Sequence, residues 1–447
     1  MDAQTNSIQF LQRQAASLLL YQSVLHGEVG LTFLALLQAL RHQDADEIKC
    51  LQAYSNWFRA LAETGQSWQN YLITQVLTAE NPLTQQAQHL ESAMPSALLA
   101  AGRQDLQALQ HLYTCSSQIV QWVQAVAKLP VAPIAWDDQP LEGNPMADPR
   151  KSFQSAIRCR FRKLDNWADV LEDLVTYYRQ FGTGLFAQYQ ALRWQSGQLV
   201  GIPHPDSVQL SQLVGYESQR EALLKNTQFL LAGYPALHVL LYGSRGSGKS
   251  SLVKALLQTY SDRGLRLIEV TKSALQDLNE IVEQLRQVPQ KFILFVDDLS
   301  FEEDEDTYKA LKALLEGNLT ARPQNVVVYA TSNRRHLIRE FHGDRPRPKD
   351  SEEVHAWDTV QEKLSFSDRF GLTLTFEPAN QHTYLSMVRH LAAQAEITLP
   401  QEELEYRALQ WATRHNGRSG RTARQFVDFL QADLTLYGQN AGTLNNK

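Results

Sequence analysis

One octapeptide constrains this chain more than any other stretch. Gly243-Ser-Arg-Gly-Ser-Gly-Lys249-Ser250 follows an apolar segment at 238–242 and precedes an apolar-rich run at 252–257. It fits the spacing G-x-x-x-x-G-K-[ST] in the context that pattern requires, a strand before and a helix after. Glycines let backbone N–H groups turn inward around an anion, and the helix adds the positive end of its dipole to the same place. The stretch therefore predicts a phosphate-binding loop at the edge of an α/β sheet, with Gly243, Ser244, Arg245, Gly246, Ser247, Gly248, Lys249, Ser250 and Ser251 around the phosphates of ATP.

Lys249 is the cation for the β and γ phosphates, and Ser250 supplies a hydroxyl to Mg²⁺, which needs further oxygen ligands. A buried strand ending in acid provides one: Phe292-Ile-Leu-Phe-Val-Asp297-Asp298 places carboxylates at the carboxyl edge of the sheet, where the loop also lies. Asp297 is read as the metal ligand and Asp298 as the group that polarises the attacking water, with Glu302 or Glu303 as substitutes. The other reading of this strand end is an acidic pair facing solvent. Asn333, after the apolar strand that runs to Thr331, is either a water-orienting side chain or an ordinary turn residue. Arg369, in Ser367-Asp368-Arg369-Phe370-Gly371, either stabilises transition-state charge in a neighbouring subunit or pairs with Asp368. Arg421, in Gly417-Arg-Ser-Gly-Arg-Thr-Ala-Arg424, is the candidate to touch the nucleotide of its own subunit, in competition with Arg418 and Arg424.

The 447 residues exceed what one core usually serves. Residues 1–129 are rich in Gln, Leu and Ala at helical spacing, with breaks at His26-Gly27, Thr64-Gly65 and Asn81-Pro82, which predicts an all-α domain of five or six helices. A proline-rich linker at 130–150 follows, then a helical connector at 151–205. From 206 to 379 the rhythm is strand and helix, with strands at 238–242, 265–270, 292–296, 326–331 and 372–376, and 380–447 reads as a lid of three helices. The net charge of -6 offers no global field for nucleic acid. Three scattered cysteines argue against disulfides or zinc. An N-terminus without basic residues and the lack of a long apolar run point to a cytoplasmic protein with no membrane segment.

The order of phosphate loop, Asp-Asp strand end, Thr-Ser-Asn, Ser-Asp-Arg-Phe-Gly and lid arginine resembles an AAA+ ATPase over roughly 210–436. More narrowly, Gly215-Tyr-Glu-Ser-Gln-Arg220, Phe295-Val-Asp-Asp-Leu-Ser-Phe301 and Ser365-Phe-Ser-Asp-Arg-Phe370 resemble a bacterial AAA+ family known as a domain of unknown function. The resemblance implies a five-stranded parallel sheet between helices with a helical lid. It also implies that Lys249 and Ser250 belong to Walker A, Asp297 and Asp298 to Walker B, Asn333 to sensor 1, Arg369 to the arginine-finger place and Arg421 to the sensor 2 place. Residues 215–227 would cover the adenine. Asp-Asp in place of the usual Asp-Glu is similar to replication initiators and helicase loaders and implies slow, switch-like hydrolysis. Residues 271–285 hold no aromatic and no glycine, which argues against threading of polypeptide through a pore.

These features imply an ATPase that assembles as a homo-oligomeric ring or partial ring and remodels a macromolecular client chosen by the helical N-terminal region. Two other readings stand beside it: a nucleotide-gated scaffold with negligible hydrolysis, and a DNA-associated loader. The latter draws on the arginines and lysines of the connection from 334 to 366, which acidic residues dilute.

Overall fold

Strands form where β-branched, leucine and aromatic residues run without interruption, and the near-complete burial of those at 265–269, 291–296 and 326–332 shows that both faces of the sheet are covered at its centre. In this computed structural model, residues 2–41, 46–88, 94–136, 149–286, 288–301, 307–316, 323–333, 366–415 and 417–437 are described. The chain divides into two compact units, Met1–Gln188 and Tyr189–Lys447.

The second unit is built on one sheet. Its strands are β1 (Ala191–Gln195), β2 (Gln198–Gly201), β3 (Val239–Gly243), β4 (Leu265–Glu269), β5 (Lys291–Val296), β6 (Val326–Ser332) and β7 (Leu372–Phe376). They lie in the order β2-β1-β4-β5-β6-β3-β7, and every pairing is parallel except β1 with β2. Five of these strands are those expected from the sequence. The sheet is two strands wider, because the glycine-broken aromatic stretch assigned to the connector folds as a hairpin. Ser196 and Gly197 both take positive φ, 52° and 76°, the two-residue turn whose twist matches that of its strands. β1 then adds to β4, with Ala191 opposite Leu267.

Helices α1 (Glu217–Leu231), α2 (Lys249–Tyr260), α3 (Leu278–Leu285) and α4 (Thr307–Glu316) connect the strands, and the lid consists of α5 (Gln381–Gln394), α6 (Gln401–Arg414) and α7 (Gly420–Tyr437). The lid has its own small core, centred on Tyr384, Val388, Ala408, Ala423 and Val427. Parallel pairing has the consequence that matters for the site. Leu241 of β3 lies opposite Thr331 of β6, and Val296 of β5 lies opposite Ala330, so the chain leaves β3, β5 and β6 at one edge.

The first unit is helical. Seven helices occupy Asp2–Ala16, Glu28–Arg41, Glu47–Thr64, Trp68–Thr78, Pro82–Gln88, Ser96–Thr114 and Ser116–Val126. Each break read from the sequence ends an element: Gly65 caps its helix at φ 65°, and Pro82 opens the next one. Aromatic side chains of these helices pack into the core, with Phe33 stacked on Trp68 at 4.1 Å. Residues 130–136 lie against this unit, where Tyr54 donates to the Ile134 carbonyl at 2.7 Å and Trp136 meets Phe58 edge-on. Helices Pro149–Lys163 and Leu171–Phe181, read as a connector, contribute Ile157, Phe161, Leu174, Tyr178 and Phe181 to the same core.

A fully buried carboxylate fastens the N-terminal turn of this unit. Asp105 accepts hydrogen bonds from the backbone N–H groups of Leu19, Leu20 and Tyr21 at 2.7–3.0 Å. Charge-assisted bonds of this kind are the strong ones, and removing the acceptor strands three donors. Asp105→Ala is expected to cost about 3 kcal/mol, while Asp105→Asn, which keeps one acceptor oxygen, costs less. Urea unfolding followed by far-UV circular dichroism reads both.

Candidate functional site

The loop after β3 turns where only glycine fits. Gly243 has φ 140°, and a Cβ added there would sit 1.9 Å from the Phe376 carbonyl oxygen of β7. Gly248, at φ 91°, is the residue from which α2 departs. Arg245, Gly246, Ser247, Gly248, Lys249, Ser250 and Ser251 line a cleft of about 830 Å³ at the carboxyl edge of the sheet. Gly243 and Ser244 shape the turn, and their carbonyls accept hydrogen bonds from Lys249 Nζ at 3.0 and 2.7 Å.

Lys249 is only 6% exposed. Burial pushes its ammonium below the usual lysine range, Asp298 and Asp297 oppose that shift, and Arg421 adds to it. A cation held in this way, against two neutral carbonyls, is poised to exchange them for phosphate oxygens. Ser247 Oγ is buried in the same loop with no hydrogen-bond partner among the described residues. A hydroxyl left in that condition within a ring of backbone donors suits an oxyanion.

The two acids diverge. Asp297 Oδ1 accepts from Ser250 Oγ at 2.6 Å and from Thr331 Oγ1 at 2.5 Å. Asp298 takes the left-handed conformation, φ 51°, and its carboxylate accepts from Asn333 Nδ2 at 2.6 Å. Asn333 in turn accepts from Lys249 Nζ at 3.3 Å, so lysine, asparagine and acid form one chain across β3, β6 and β5. Ser250 and Asp297 present hard oxygen donors side by side, which fits Mg²⁺ with its remaining positions left to phosphate and water. Among the described residues no cluster of three or more His, Cys, Asp or Glu offers an all-protein metal cage.

Thr331 was not singled out in the sequence, yet it is 2% exposed and its hydroxyl bonds to both acids, donating to Asp297 and accepting from the Asp298 N–H at 2.9 Å. The available signal was a polar residue at the end of an otherwise apolar strand. The mouth of the cleft is apolar on two sides, with Leu213, Val214 and Tyr216 from the segment before α1 and Met387 and Leu391 from the lid. Of residues 215–227, Gly215, Tyr216 and Arg220 face the cleft, while Leu223 and Thr227 are buried.

From the lid, Arg421 and Arg424 line the cleft and Arg418 does not. The Arg421 backbone N–H donates to the Gly246 carbonyl at 3.1 Å, which fixes the start of α7 on the loop. Arg369 is not brought to this cleft. It ends the single turn Phe366–Arg369, before β7, and β7 begins opposite Val239, at the sheet edge remote from the loop. Glu302, Glu303 and the connection 334–365 lie outside the described residues. No helix among the described residues is long and apolar enough to cross a membrane.

The Thermotoga maritima RuvB Holliday junction branch migration motor matches at 16% identity and TM-score 0.37, over 52% of this chain and 66% of that one. A mutant of the same protein matches at 15% identity and TM-score 0.37, over 52% and 67%. The chain thus spans just under two thirds of the first of these. No curated protein matches it in sequence. A family described as protein of unknown function (DUF815) matches residues 187–434, more than half of the chain and nearly the whole of the second unit. The chain therefore belongs to the DUF815 family, and its second unit is an α/β fold with a glycine-rich loop after β3 and a helical lid.

Proposed function

We propose that this chain is a Mg²⁺-dependent ATPase that works as a homo-oligomer and remodels a macromolecular client selected by its helical N-terminal unit. The observation that carries the reading is the convergence of Lys249, Ser250, Asp297, Asp298 and Asn333 on one cleft behind a glycine loop. Lys249 leaves the carbonyls of Gly243 and Ser244 for the β and γ phosphates, and the loop N–H groups and Ser247 Oγ take the remaining phosphate oxygens. Ser250 and Asp297 would hold the metal, which would supply neutralisation of charge on those oxygens. Asp298 accepts the proton of the attacking water, and Asn333 fixes its carboxylate in place. Arg421 and Arg424 supply positive charge from the lid, and Leu213, Tyr216, Met387 and Leu391 give the base an apolar slot.

Arg369 lies at the far edge of the sheet from its own loop, so its role in hydrolysis is to complete the site of a neighbouring copy. A second reading, the nucleotide-gated scaffold with negligible turnover, draws on the Asp298–Asn333 bond. That bond occupies one oxygen of the short acid placed to activate water. Turnover measured with the N-terminal unit's client present separates the two readings.

Lys249→Ala is expected to abolish tight ATP binding or turnover, and unchanged turnover would remove the loop from the mechanism. Thr331→Val keeps the shape of the side chain and loses its hydroxyl. Turnover should fall about tenfold, equivalent to about 1.4 kcal/mol, and half-saturation by Mg²⁺ should rise, while Thr331→Ser stays near the unmodified protein. An unaltered Mg²⁺ profile in Thr331→Val would make the hydroxyl merely structural. Asp298→Ala and Arg369→Ala should each be inactive alone. Mixed in equal amounts they should regain about a quarter of full turnover, the share of head-to-tail interfaces that pair an intact Asp298 with an intact Arg369. No recovery on mixing would place Arg369 outside the site.

A further inference from the structure

The loop that holds the nucleotide site has a second face. Ser244, Arg245, Gly246 and Pro378 of the core line a second cleft of about 920 Å³, which shares Arg245, Gly246, Arg421 and Gln425 with the first. From the lid, His415, Arg418 and Arg421 line it. Arginines thus come to it from core and lid alike, and among the described residues no Asp or Glu lines it.

The lid arginines elsewhere are neutralised. Arg389 pairs with Glu405 at 3.7 Å and Arg407 pairs with Glu403. Arg245, Arg418 and Arg421, in contrast, have neither a carboxylate nor a side-chain hydrogen-bond partner among the described residues. Like charges gathered in one cleft repel, and the repulsion here acts between lid and core. An anion in the cleft reverses its sign. The planar fork of arginine matches the paired oxygens of a phosphate, and two forks, one from the core and one from the lid, suit a ligand with more than one phosphoryl group.

We propose that this cleft is a second anion site beside the nucleotide site, which holds phosphoryl groups between Arg245, shared by both clefts, and Arg418 of the lid, which lines this one alone. Its ligand is a free polyphosphate or the phosphodiester backbone of a nucleic-acid strand. Because Arg245, Gly246 and Arg421 border both clefts and the Arg421 backbone is tied to Gly246, an occupant here presses the lid onto the loop that holds the nucleotide. The proposal does not depend on ATP turnover, which is read separately.

The test is calorimetric titration of the full chain with inorganic pyrophosphate in a Lys249→Ala background, where the nucleotide site has lost its cation. Binding is expected to persist in Lys249→Ala, to weaken at least tenfold when Arg418→Gln is added, and to weaken less with Arg418→Lys, which keeps the charge without the fork. Arg418 is exposed and makes no side-chain hydrogen bond or ion pair among the described residues, so equal thermal midpoints should show that these variants fold alike. Loss of pyrophosphate binding in Lys249→Ala alone would assign all of it to the nucleotide site and overturn the proposal. So would an affinity indifferent to Arg418. A short oligothymidylate that displaces pyrophosphate identifies the phosphodiester backbone as the ligand, and failure to displace it identifies a free polyphosphate.

Discussion

The Thr331 hydroxyl is the smallest group on which the geometry of the carboxyl edge depends. Two consecutive acids leaving a strand would ordinarily point to opposite sides, following the pleat. Here Thr331 donates to the first and accepts from the backbone of the second, while its own carbonyl accepts from Leu299 at 2.7 Å. Those bonds turn the chain at Asp298 into the left-handed region, a conformation that costs on the order of 1–3 kcal/mol for a residue other than glycine. Asp is among the side chains that tolerate it best. The strain persists because β6 lies beside β5 in fixed register, so the sheet order sets where the hydroxyl falls. Strain held by several independent contacts at a strand end is a property of sites, since a purely structural turn could relax it.

The parts of this arrangement legible in the sequence are those whose chemistry is local. The loop from Gly243 to Ser250 announces itself because glycine, lysine and serine at fixed spacing have a single backbone solution. Asp297 announces itself because an acid at the end of a buried strand has few other uses. Thr331 did not, since its partners belong to a strand more than thirty residues earlier and only the pairing of β5 with β6 joins them. The β1–β2 hairpin was hidden for a related reason: four- and five-residue strands with half-exposed faces carry little periodicity, and the Ser-Gly turn was the only clear sign. Asp105 looked like one more polar residue of an amphipathic helix, and its three backbone partners lie some 85 residues away.

The lid arginines show where helical spacing stops being informative. Arg418, Arg421 and Arg424 recur at intervals of three, so any of them fits a nucleotide contact from sequence alone. One tertiary bond, Arg421 N–H to the Gly246 carbonyl, ties the start of α7 to the loop, and it is Arg421 and Arg424 that line the cleft holding Lys249 and Asp297. The same contact explains the glycine at 246. At φ 74°, a Cβ there would meet Ser419 Oγ at 2.9 Å and Arg421 Cβ at 3.2 Å, holding the lid away from the loop.

Charge completes the account. The loop and lid together present Lys249, Arg245, Arg418, Arg421 and Arg424, and the nearby carboxylates Asp297 and Asp298 are already engaged by Ser250, Thr331 and Asn333. The cationic side therefore exceeds the anionic side within the described residues, and Lys249 feels the imbalance as a lowered proton affinity through Arg421 as well as through burial. On the proposed reading a triphosphate offsets part of this excess, while Arg418, which lines only the second cleft, keeps its charge among described residues that include no acid there, so an anion held by it would bear on the docking of lid on core.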